Sequence, residues 1–472
     1  MPQRRIQPPR LCVLLITCFD TRTMANITLL HRWLGQTARI AVKRERPFVI
    51  AITGAVGKST TRQACAAILE ADGKGADMRV SQKNYNNELG VPLTVLDMAS
   101  PGRSILAWLH LLIRSLSVRV GLVRTCPKIF VMEMGADHPG DIAYLTGLVP
   151  PDVAIITAVT PEATDVAPVH LENYSSIDAL AEEKAALVKA VNKNGTVILN
   201  ADDKRVFSMR HLTNAHVLTF GEADGSVVRI VGKRILTNTE EHGNMPVSLC
   251  VTFETYAHRE TLTIPGVFGS PVAYALGAAI ALGAAMDVHG SVDNELPNYF
   301  KPMRGRTRII PGIKQTTLFD DTYNSSPAAV LSALRDLASV ETKPGQRKIA
   351  CLGEMRELGE DSKKLHRMVG AEAGRLGLDF LAVSGIFAHA MAEGALANGL
   401  SEGQIRVFDD TPEAGRFLQD YIHPGDIVLA KASQGTLMTT GVRMERVIKE
   451  LMAEPLRAEE LLVRQELAWT RK

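Results

Sequence analysis

Residues 49–69, VIAITGAVGKSTTRQACAAIL, carry the strongest chemical signal in the chain. An apolar run, a glycine turn and an amphipathic stretch follow one another, which predicts a strand, a tight loop and a helix. Gly54 and Gly57 let backbone N–H groups approach a phosphate closely, and Lys58 adds positive charge beside it. Ser59 is then placed to ligate Mg²⁺. The longer GxxxxGK[ST] pattern is not met, because isoleucine replaces its first glycine, but the shorter GxxGKST form is present.

Three further side chains have types and positions that could complete a metal and phosphate site. Glu133 lies near the end of the apolar run KIFVMEM, where a carboxylate at the carboxyl edge of a parallel sheet can ligate a nucleotide-bound metal. His170 and Lys184 are fourteen residues apart, and the lysine lies inside a predicted helix. Taken singly, each residue has a plainer explanation. Glu133 would be a solvated loop acid, His170 a hydrogen-bonded structural histidine and Lys184 a surface charge.

The elements that must position these residues alternate, from Pro47 onward, between short apolar runs and amphipathic stretches. PFVIAIT, KIFVMEM, DVAIITAV and GTVILN predict buried strands. The predicted helices cover 59–71, 142–148 and 176–191. This alternation predicts a mostly parallel sheet with helices on both faces. Residues 226–264 predict a small antiparallel excursion, and 270–286 an Ala-rich helix.

A second α/β series begins near Pro311. Its predicted strands are KIACLGEM, DFLAVSG, IRVFDD and DIVLAKA, separated by helical stretches, and the last twenty residues predict a helical tail. We therefore divide the chain into a short basic N-terminal arm (1–46), a central domain (47–310) and a C-terminal domain with its tail (311–472).

The composition restricts the class of protein. The 472 residues are 46% hydrophobic and 22% charged, which is ordinary for a globular chain of about three domains. The formal net charge is only +2, so the overall charge of the chain does not favour binding to nucleic acid. Six scattered cysteines form no CxxC pair, which disfavours a structural zinc site and a disulfide framework. A reducing, cytoplasmic setting fits best.

The first 46 residues are basic, with nine Lys and Arg against two acids. Three arginines precede the apolar run Leu11–Phe19, which at nine residues is too short to span a bilayer. Asp20 and Arg22 stand where a signal peptide would need small residues for cleavage. We hypothesise instead that translation starts at Met24.

The stretch 103–128 carries arginines and no acid, and much of it is apolar. A basic amphipathic segment can lie on an anionic membrane surface, so peripheral membrane contact is one interpretation. The other, which we expect, is a helix docked on the protein's own core, because apolar helices in globular chains are usually core elements.

The motifs taken together resemble those of the Mur ligase family, in order from about Pro47 to Met452. They are TGAVGKST, NYNNELGVPLT, EMGADHPGDIAYL, His170 with Lys184, NADD at 200–203, GR at 305–306, DDTYNSSP from Asp320, GEMRELG at 353–359 and KASQG at 431–435. Within the family, the chain most resembles the type that adds D-alanyl-D-alanine to a UDP-muramoyl tripeptide. Several ordered motifs are far more specific than one phosphate loop.

The resemblance implies a role for each matching residue. The catalytic set would be Lys58, Glu133, His170, Lys184 and Arg306. The ATP-binding set would be Gly54, Ala55, Val56, Gly57, Lys58, Ser59, Thr60, Arg306, Asp321 and Asn324. Ser59 and Glu133 would hold one Mg²⁺, and His170 with a carbamylated Lys184 a second. Asn86 and Asn87 would face substrate, and Lys431 and Ser433 would line the side where the incoming amine binds.

The resemblance also implies the fold and the reaction. We expect an α/β protein with a P-loop-type central domain, whose sheet is mostly parallel, and a C-terminal Rossmann-like domain. The expected enzyme is a monomeric, ATP-dependent amide ligase of peptidoglycan precursor synthesis that works through an acyl phosphate. Its substrates would be the small molecules D-alanyl-D-alanine and a nucleotide-sugar peptide.

Two departures from the family's pattern keep other functions open. Only 46 residues precede Pro47, which is too few for the usual nucleotide-sugar domain. Ser270 and Pro271 stand where a His-Asn motif usually reaches adenine. The alternatives are a Mur-like ligase for another carboxylate, such as a poly-glutamate or a lipid-linked muropeptide, and a nucleotide-binding protein without turnover.

Overall fold

The computed structural model describes residues 24–82, 85–102, 104–159, 173–241, 243–256, 258–288, 292–434, 442–466 and 469. These residues form two α/β units, each built on its own sheet. The mixed α/β architecture predicted from the alternation of apolar runs and amphipathic stretches is confirmed.

The strands of the first unit, among the described residues, form one nine-stranded sheet in the order β2-β3-β1-β4-β5-β6-β7-β8-β9. Their bounds are β1 (Phe48–Thr53), β2 (Met78–Val80), β3 (Ile129–Glu133), β4 (Val153–Ile156), β5 (Thr196–Asn200), β6 (His216–Gly221), β7 (Val228–Glu240), β8 (Gly243–Thr255) and β9 (Arg259–Pro265). The pairs from β2 to β7 are parallel, and β7-β8-β9 are antiparallel. The predicted antiparallel excursion is therefore an extension of the main sheet.

Helices cover both faces of this sheet. Their bounds are α1 (Met24–Glu45), α2 (Lys58–Ala71), α3 (Gly90–Leu96), α4 (Ile105–Arg119), α5 (Asp141–Leu148), α6 (Ile177–Ala190), α7 (Lys204–Ser208), α8 (Ser270–Ala285) and α9 (Val292–Tyr299). On one face Ile68 of α2 and Leu276 of α8 pack in one core cluster. On the other face Leu34 of α1, Leu145 of α5 and Leu187 of α6 share a second cluster. Both faces of the parallel strands are thus buried, as their continuous apolar runs predict.

The second unit has a six-stranded sheet within the described residues, ordered β10-β11-β15-β12-β13-β14. The strands are β10 (Arg308–Pro311), β11 (Thr317–Asp321), β12 (Lys348–Leu352), β13 (Phe380–Ser384), β14 (Ile405–Phe408) and β15 (Ile427–Lys431). The helices are α10 (Pro327–Ala338), α11 (Ser362–Arg375), α12 (Ala388–Leu396), α13 (Thr411–Tyr421), α14 (Met444–Leu451) and α15 (Ala458–Leu461). β10 is antiparallel to β11, whereas β11 and β15 are parallel, so their carboxyl ends meet at one edge.

Two sequence predictions differ from the structure in detail. Residues 24–45 of the predicted basic arm form helix α1, which buries Leu34, Ala38 and Ala41 against the central unit. Among the residues described up to Glu466, the predicted helical tail contains a single 3-10 turn (Pro455–Arg457) followed by the four-residue α15. Glu, Arg and Leu favour helix, but burial of Leu461, Leu462 and Val463 against the second unit decides the local conformation.

Helix α4 lies in the stretch 103–128, which was interpreted either as a membrane-contacting segment or as a helix docked on the protein's own core. It buries Leu111, Ser115 and Val118, so one side of it docks on the protein as expected. Among the described residues, no helix is both long and apolar enough to cross a bilayer.

Candidate active site

The phosphate loop follows β1 and leads directly into α2. Gly54 and Gly57 have φ angles of 154° and 83°, and the Gly57 angle is one that side chains with a Cβ rarely adopt. A Cβ on Gly54 would lie 1.9 Å from Oγ1 of Thr157, which itself donates to the Val56 carbonyl at 2.6 Å. Ala55 N–H donates to the Ala158 carbonyl at 2.7 Å. Neighbouring β4 therefore holds the loop in its shape.

Lys58, the first residue of α2, folds back over this loop. Its Nζ donates to the Gly54 carbonyl at 2.6 Å. Burial lowers the pKa of Lys58 and the charge of Arg306 lowers it further, whereas Glu133 acts in the opposite direction. The ammonium group is thus held at the loop in an environment that favours an incoming anion.

Glu133 ends β3 beside β1 and is buried. Its Oε1 lies 3.2 Å from Nη1 of Arg62, and Arg62 also donates to the carbonyls of Ser81 and Gln82 at 2.6 and 3.1 Å. Among the described residues, Oε1 of Glu133 has no hydrogen-bond partner, since its pairing with Arg62 lacks hydrogen-bond geometry. A buried carboxylate oxygen left open in this way is suited to a metal ligand.

Arg62 is a site residue that the sequence analysis missed. It lies one helical turn after Lys58, at the start of the turn that leads into the small and apolar segment 64–69 of α2, and it is buried. A buried arginine in such a helix needs an acidic partner, and this requirement was the sequence signal that could have identified Arg62. The partner is Glu133, so Arg62 fixes the carboxylate at the edge of the loop.

Lys184 of α6 is 3% exposed. Burial, with a smaller contribution from the positive charge of Lys58, lowers its pKa to about 7. Its predicted partner His170 lies outside the described residues. Within the described part of the chain no group of three or more His, Cys, Asp or Glu could hold a metal ion, so the predicted second metal site is not assembled from those residues alone.

The second unit contributes a cluster at the carboxyl ends of β11 and β15. Asp321 and Lys431 are register partners there, and their side chains pair at 2.5 Å. Lys431 also donates to the Asn324 carbonyl at 3.1 Å, and the Thr307 N–H donates to Asp321 at 3.2 Å. The guanidinium of Arg306 lies 4.2 Å from the Tyr323 ring centroid, which fixes its direction.

One cavity of about 430 Å³ joins the two units. The predicted residues that line it are Ala55, Val56, Gly57, Lys58, Ser59, Thr60, Asn86, Glu133, Arg306, Asp321, Asn324 and Lys431. The structure therefore brings together, around one space, residues that are far apart in the sequence. Such a space between two domains is where ligand sites commonly lie.

Two predicted substrate residues have structural roles outside the cavity lining. The side-chain carbonyl of Asn87 accepts from the N–H groups of Gly90 and Leu89 at 2.9 and 3.3 Å, and so starts α3. Ser433 is buried and donates to the Ser325 carbonyl at 2.9 Å. Ser433 thus holds Ser325, which lines the cavity, whereas Asn87 holds the start of α3.

Comparison with known proteins gives the family. Residues 115–282 match the Mur ligase middle domain, and residues 305–434 match the Mur ligase glutamate ligase domain. The UDP-N-acetylmuramoyl-tripeptide--D-alanyl-D-alanine ligase of Mycobacterium leprae is 31% identical over 407 residues, 82% of this chain and 71% of that protein. The chain belongs to the Mur ligase family. The Synechocystis ligase of the same name is 29% identical over 86% of this chain and 75% of its own length.

Solved structures show that this Mur ligase shares the family fold. The MurF ligase from Thermotoga maritima in complex with ADP has a TM-score of 0.68 at 24% identity, covering 93% of this chain and 85% of that one. MurF from Acinetobacter baumannii has a TM-score of 0.66 at 24% identity, covering 85% and 77%. The expected architecture of a central and a C-terminal Mur ligase domain is thereby confirmed.

The cavity of this Mur ligase is also lined by Ser270 and Pro271, at the start of α8. The N–H of Ser270 donates to Oδ2 of Asp336 at 3.2 Å, and its hydroxyl lies 3.2 Å from Oδ1. Asp336 belongs to α10 of the second unit, so this contact links the two units. Sequence reasoning did not single out Asp336, because nothing in its local pattern marks a partner 66 residues away.

Gly54 offers a direct test of the loop geometry. We expect Gly54→Ala to reduce nucleotide affinity by about tenfold or more, because the new methyl group would collide with Thr157 and displace the loop. Titration with a fluorescent ADP analogue measures this effect. Gly147→Ala is the matched control, since a Cβ at this exposed helical glycine meets nothing within 4 Å. Equal affinity in both variants would contradict the loop assignment.

Proposed function

We propose that this Mur ligase joins D-alanyl-D-alanine to a UDP-N-acetylmuramoyl-tripeptide, with ATP as the energy source, in the cytoplasm and as a monomer. The observation that carries the proposal is the shared cavity, in which the phosphate loop and Glu133 of the central unit face Arg306, Asp321 and Lys431. The relatives named for this reaction give the substrate pair. A two-domain cavity suits a reaction with three substrates, since closure can assemble them.

ATP would lie with its phosphates on the loop. The backbone N–H groups at the start of α2 point toward this position, and Lys58 exchanges its bond to the Gly54 carbonyl for phosphate oxygen. Arg306 approaches from the second unit, while Asp321 and Asn324 contact the nucleotide. The base would extend toward Ser270 and Pro271, which line the same cavity.

The residues present fit Mg²⁺. Ser59 and Glu133 both line the cavity, and the open Oε1 of Glu133 supplies the hard oxygen that this ion prefers. We assign His170 and carbamylated Lys184 to a second ion. When bound, Mg²⁺ offsets negative charge on the phosphoryl oxygens.

The reaction itself depends on position and charge. The tripeptide carboxylate attacks the γ-phosphorus of ATP, ADP leaves, and an acyl phosphate forms. Lys58 and Arg306 stabilise the charge on the transferring group. The amine of D-alanyl-D-alanine then attacks the activated carbonyl, and phosphate leaves with the electrons of its bond to carbon. Asn86 orients the acid, and Lys431, held by Asp321, lies on the side of the amine.

Lys184 provides a prediction about covalent chemistry. With its pKa near 7, much of its amine is neutral at pH 7.5 to 8 and can add to CO₂, whereas an ordinary lysine stays protonated there. The resulting carbamate would carry negative charge beside Lys58. In ¹³C-bicarbonate we expect a protein-bound carbamate NMR signal that Lys184→Ala abolishes, together with about 10²-fold slower turnover.

The matched control for Lys184 is Lys189→Ala, on the same helix and exposed. This variant should keep both the carbamate signal and the rate. Unchanged turnover in Lys184→Ala would refute its assignment to the metal site.

The proposed function is tested by phosphate release from ATP and Mg²⁺ with purified protein. UDP-N-acetylmuramoyl-tripeptide and D-alanyl-D-alanine are supplied separately and then together, and the amide product is identified by mass. We expect release only with both substrates present. Release with another acid, such as a poly-glutamate or a lipid-linked muropeptide, would redefine the substrate, and ATP binding without release under any of these conditions would indicate a protein without turnover.

A further inference from the structure

Helices α1 and α4 expose an unusual share of apolar side chains. Seventeen large apolar side chains are exposed among the described residues, and ten of them lie on these two helices or in the turn after α4. On α4 and its last turn the exposed apolar residues are Ile105, Leu106, Leu109, Ile113, Leu116 and Val120. We call this surface, together with Leu29, Trp33 and Ile40 of α1, the α1–α4 face.

The spacing of these residues makes one stripe. Positions 105, 109, 113, 116 and 120 recur every three or four residues, which is the helical period. The opposite side of α4 already packs against the protein, because Leu111, Ser115 and Val118 are buried. The exposed stripe is therefore a second apolar surface, and its residues are 45–63% exposed to solvent.

The two helices are held together as one surface. The indole Nε1 of Trp33 donates to Oγ of Ser115 at 2.8 Å, and the guanidinium of Arg119 lies 3.9 Å from the Trp33 ring centroid. Arg44 of α1 donates to the carbonyls of Val118 and Val123 at 2.7 and 3.2 Å. These bonds fix α4 against α1, so the stripe and the charges beside it keep their relative positions.

The charge around the stripe is basic. Arg32, Arg39 and Lys43 are exposed on α1, Arg124 is exposed after α4, and the sequence from 103 to 128 has no Asp or Glu. Glu45, at the end of α1, is engaged by the N–H groups of Thr125 and Cys126 and by Arg44.

The acids nearest this face in the sequence are paired as well. Glu88 lies 3.8 Å from His31, and Asp97 lies 3.3 Å from Arg79. Positive charge thus dominates around the stripe.

We propose that the α1–α4 face docks this protein onto the surface of a bilayer rich in anionic phospholipid. An apolar stripe flanked by arginine and lysine matches the two layers of such a surface, since the apolar side chains enter the acyl boundary and the cations meet the headgroups. Trp33 beside Arg119 suits the boundary between them. The face is made of two helices that contact each other directly.

Vesicle co-sedimentation of the full chain tests this proposal. We expect binding to phosphatidylglycerol–phosphatidylethanolamine vesicles that is at least about tenfold stronger than binding to phosphatidylcholine vesicles and that weakens in high salt. A variant with Leu106→Ser, Leu109→Ser, Ile113→Ser and Leu116→Ser should lose at least about tenfold in affinity. A variant with Arg39→Gln, Lys43→Gln and Arg124→Gln should lose both affinity and salt dependence.

The matched control replaces exposed apolar residues elsewhere, with Tyr256→Ser, Ile386→Ser and Leu456→Ser. This variant should bind vesicles as the native chain does, and thermal unfolding should show that all variants fold. Failure of the native chain to bind anionic vesicles would overturn the proposal, and so would equal binding by the four-serine variant. A dimer in light scattering that the four-serine variant abolishes, without vesicle binding, would assign the face to a second copy of this chain.

Discussion

Replacing Lys58 with alanine should lower kcat by about 10²- to 10³-fold. Lys58 is half-buried at the phosphate loop, and its Nζ already lies against the Gly54 carbonyl, where a phosphate would displace it. The transferring phosphoryl group would then lose one of the two cationic side chains that stabilise its charge, and Arg306 would remain. Phosphate release under saturating substrates measures this loss.

The fold should tolerate this change, because the environment of Lys58 already disfavours the charged amine and lowers its pKa. Thermal unfolding separates a catalytic loss from a structural one. Lys74→Ala is the matched control, since this lysine follows the same helix and pairs with Asp72 away from the cavity lining. A Lys58→Ala enzyme with kcat within twofold of the native value would contradict the account of the loop.

Replacing Glu133 with glutamine should have two separate effects. Removing the charge leaves Arg62 buried without its acidic partner, and breaking such a pair costs about 3 kcal/mol in the free energy of unfolding. The same change removes a metal-binding oxygen, so the Mg²⁺ concentration for half-maximal rate should rise by about tenfold or more. Denaturant unfolding and Mg²⁺ titration of the rate measure the two effects independently.

Glu45→Gln separates the two effects of the Glu133 change. Glu45 also accepts backbone N–H groups and pairs with an arginine, but it lies outside the cavity lining. Its replacement should reduce stability and leave the Mg²⁺ requirement unchanged. An unchanged Mg²⁺ requirement in Glu133→Gln would remove Glu133 from the metal site and leave it as the structural partner of Arg62.

The elements around the phosphate loop could be predicted from sequence because their signals are local. Four buried apolar runs correspond to β1, β3, β4 and β5, and the glycine turn leads into α2 as expected. The Ala-rich segment from 270 forms α8. Each of these elements satisfies its own backbone and buries a continuous apolar face, so pattern and structure agree.

Other elements depend on partners distant in sequence. Strand β2 has three residues, all half-buried, and strand β10 has four, so neither shows a clear period. Each is a strand because an edge of a sheet accepts it, next to β3 and β11 respectively. The conformation of α1 likewise follows from the apolar residues that it buries. The many basic residues of the N-terminal segment made this apolar pattern hard to recognise in the sequence.

The site residues also fall into two groups, those found from local motifs and those defined by partners distant in sequence. Lys58, Glu133, Arg306 and Lys431 were found by motif, and all line the cavity. Arg62 and Asp336 were missed, because each is defined by a partner in another element. Asn87 and Ser433 lie in matching motifs but hold backbone instead of lining the cavity, which only hydrogen-bond geometry reveals. His170 stays a prediction, since it lies outside the described residues.

The most direct test of the central claim is oxygen transfer during turnover. UDP-N-acetylmuramoyl-tripeptide labelled with ¹⁸O in the reacting carboxylate is incubated with ATP, Mg²⁺, D-alanyl-D-alanine and the protein, and the released phosphate is analysed by mass. If the carboxylate attacks the γ-phosphorus in the shared cavity, one labelled oxygen must appear in each phosphate released. Amide product accompanied by unlabelled phosphate, or no amide product at all, would contradict the account.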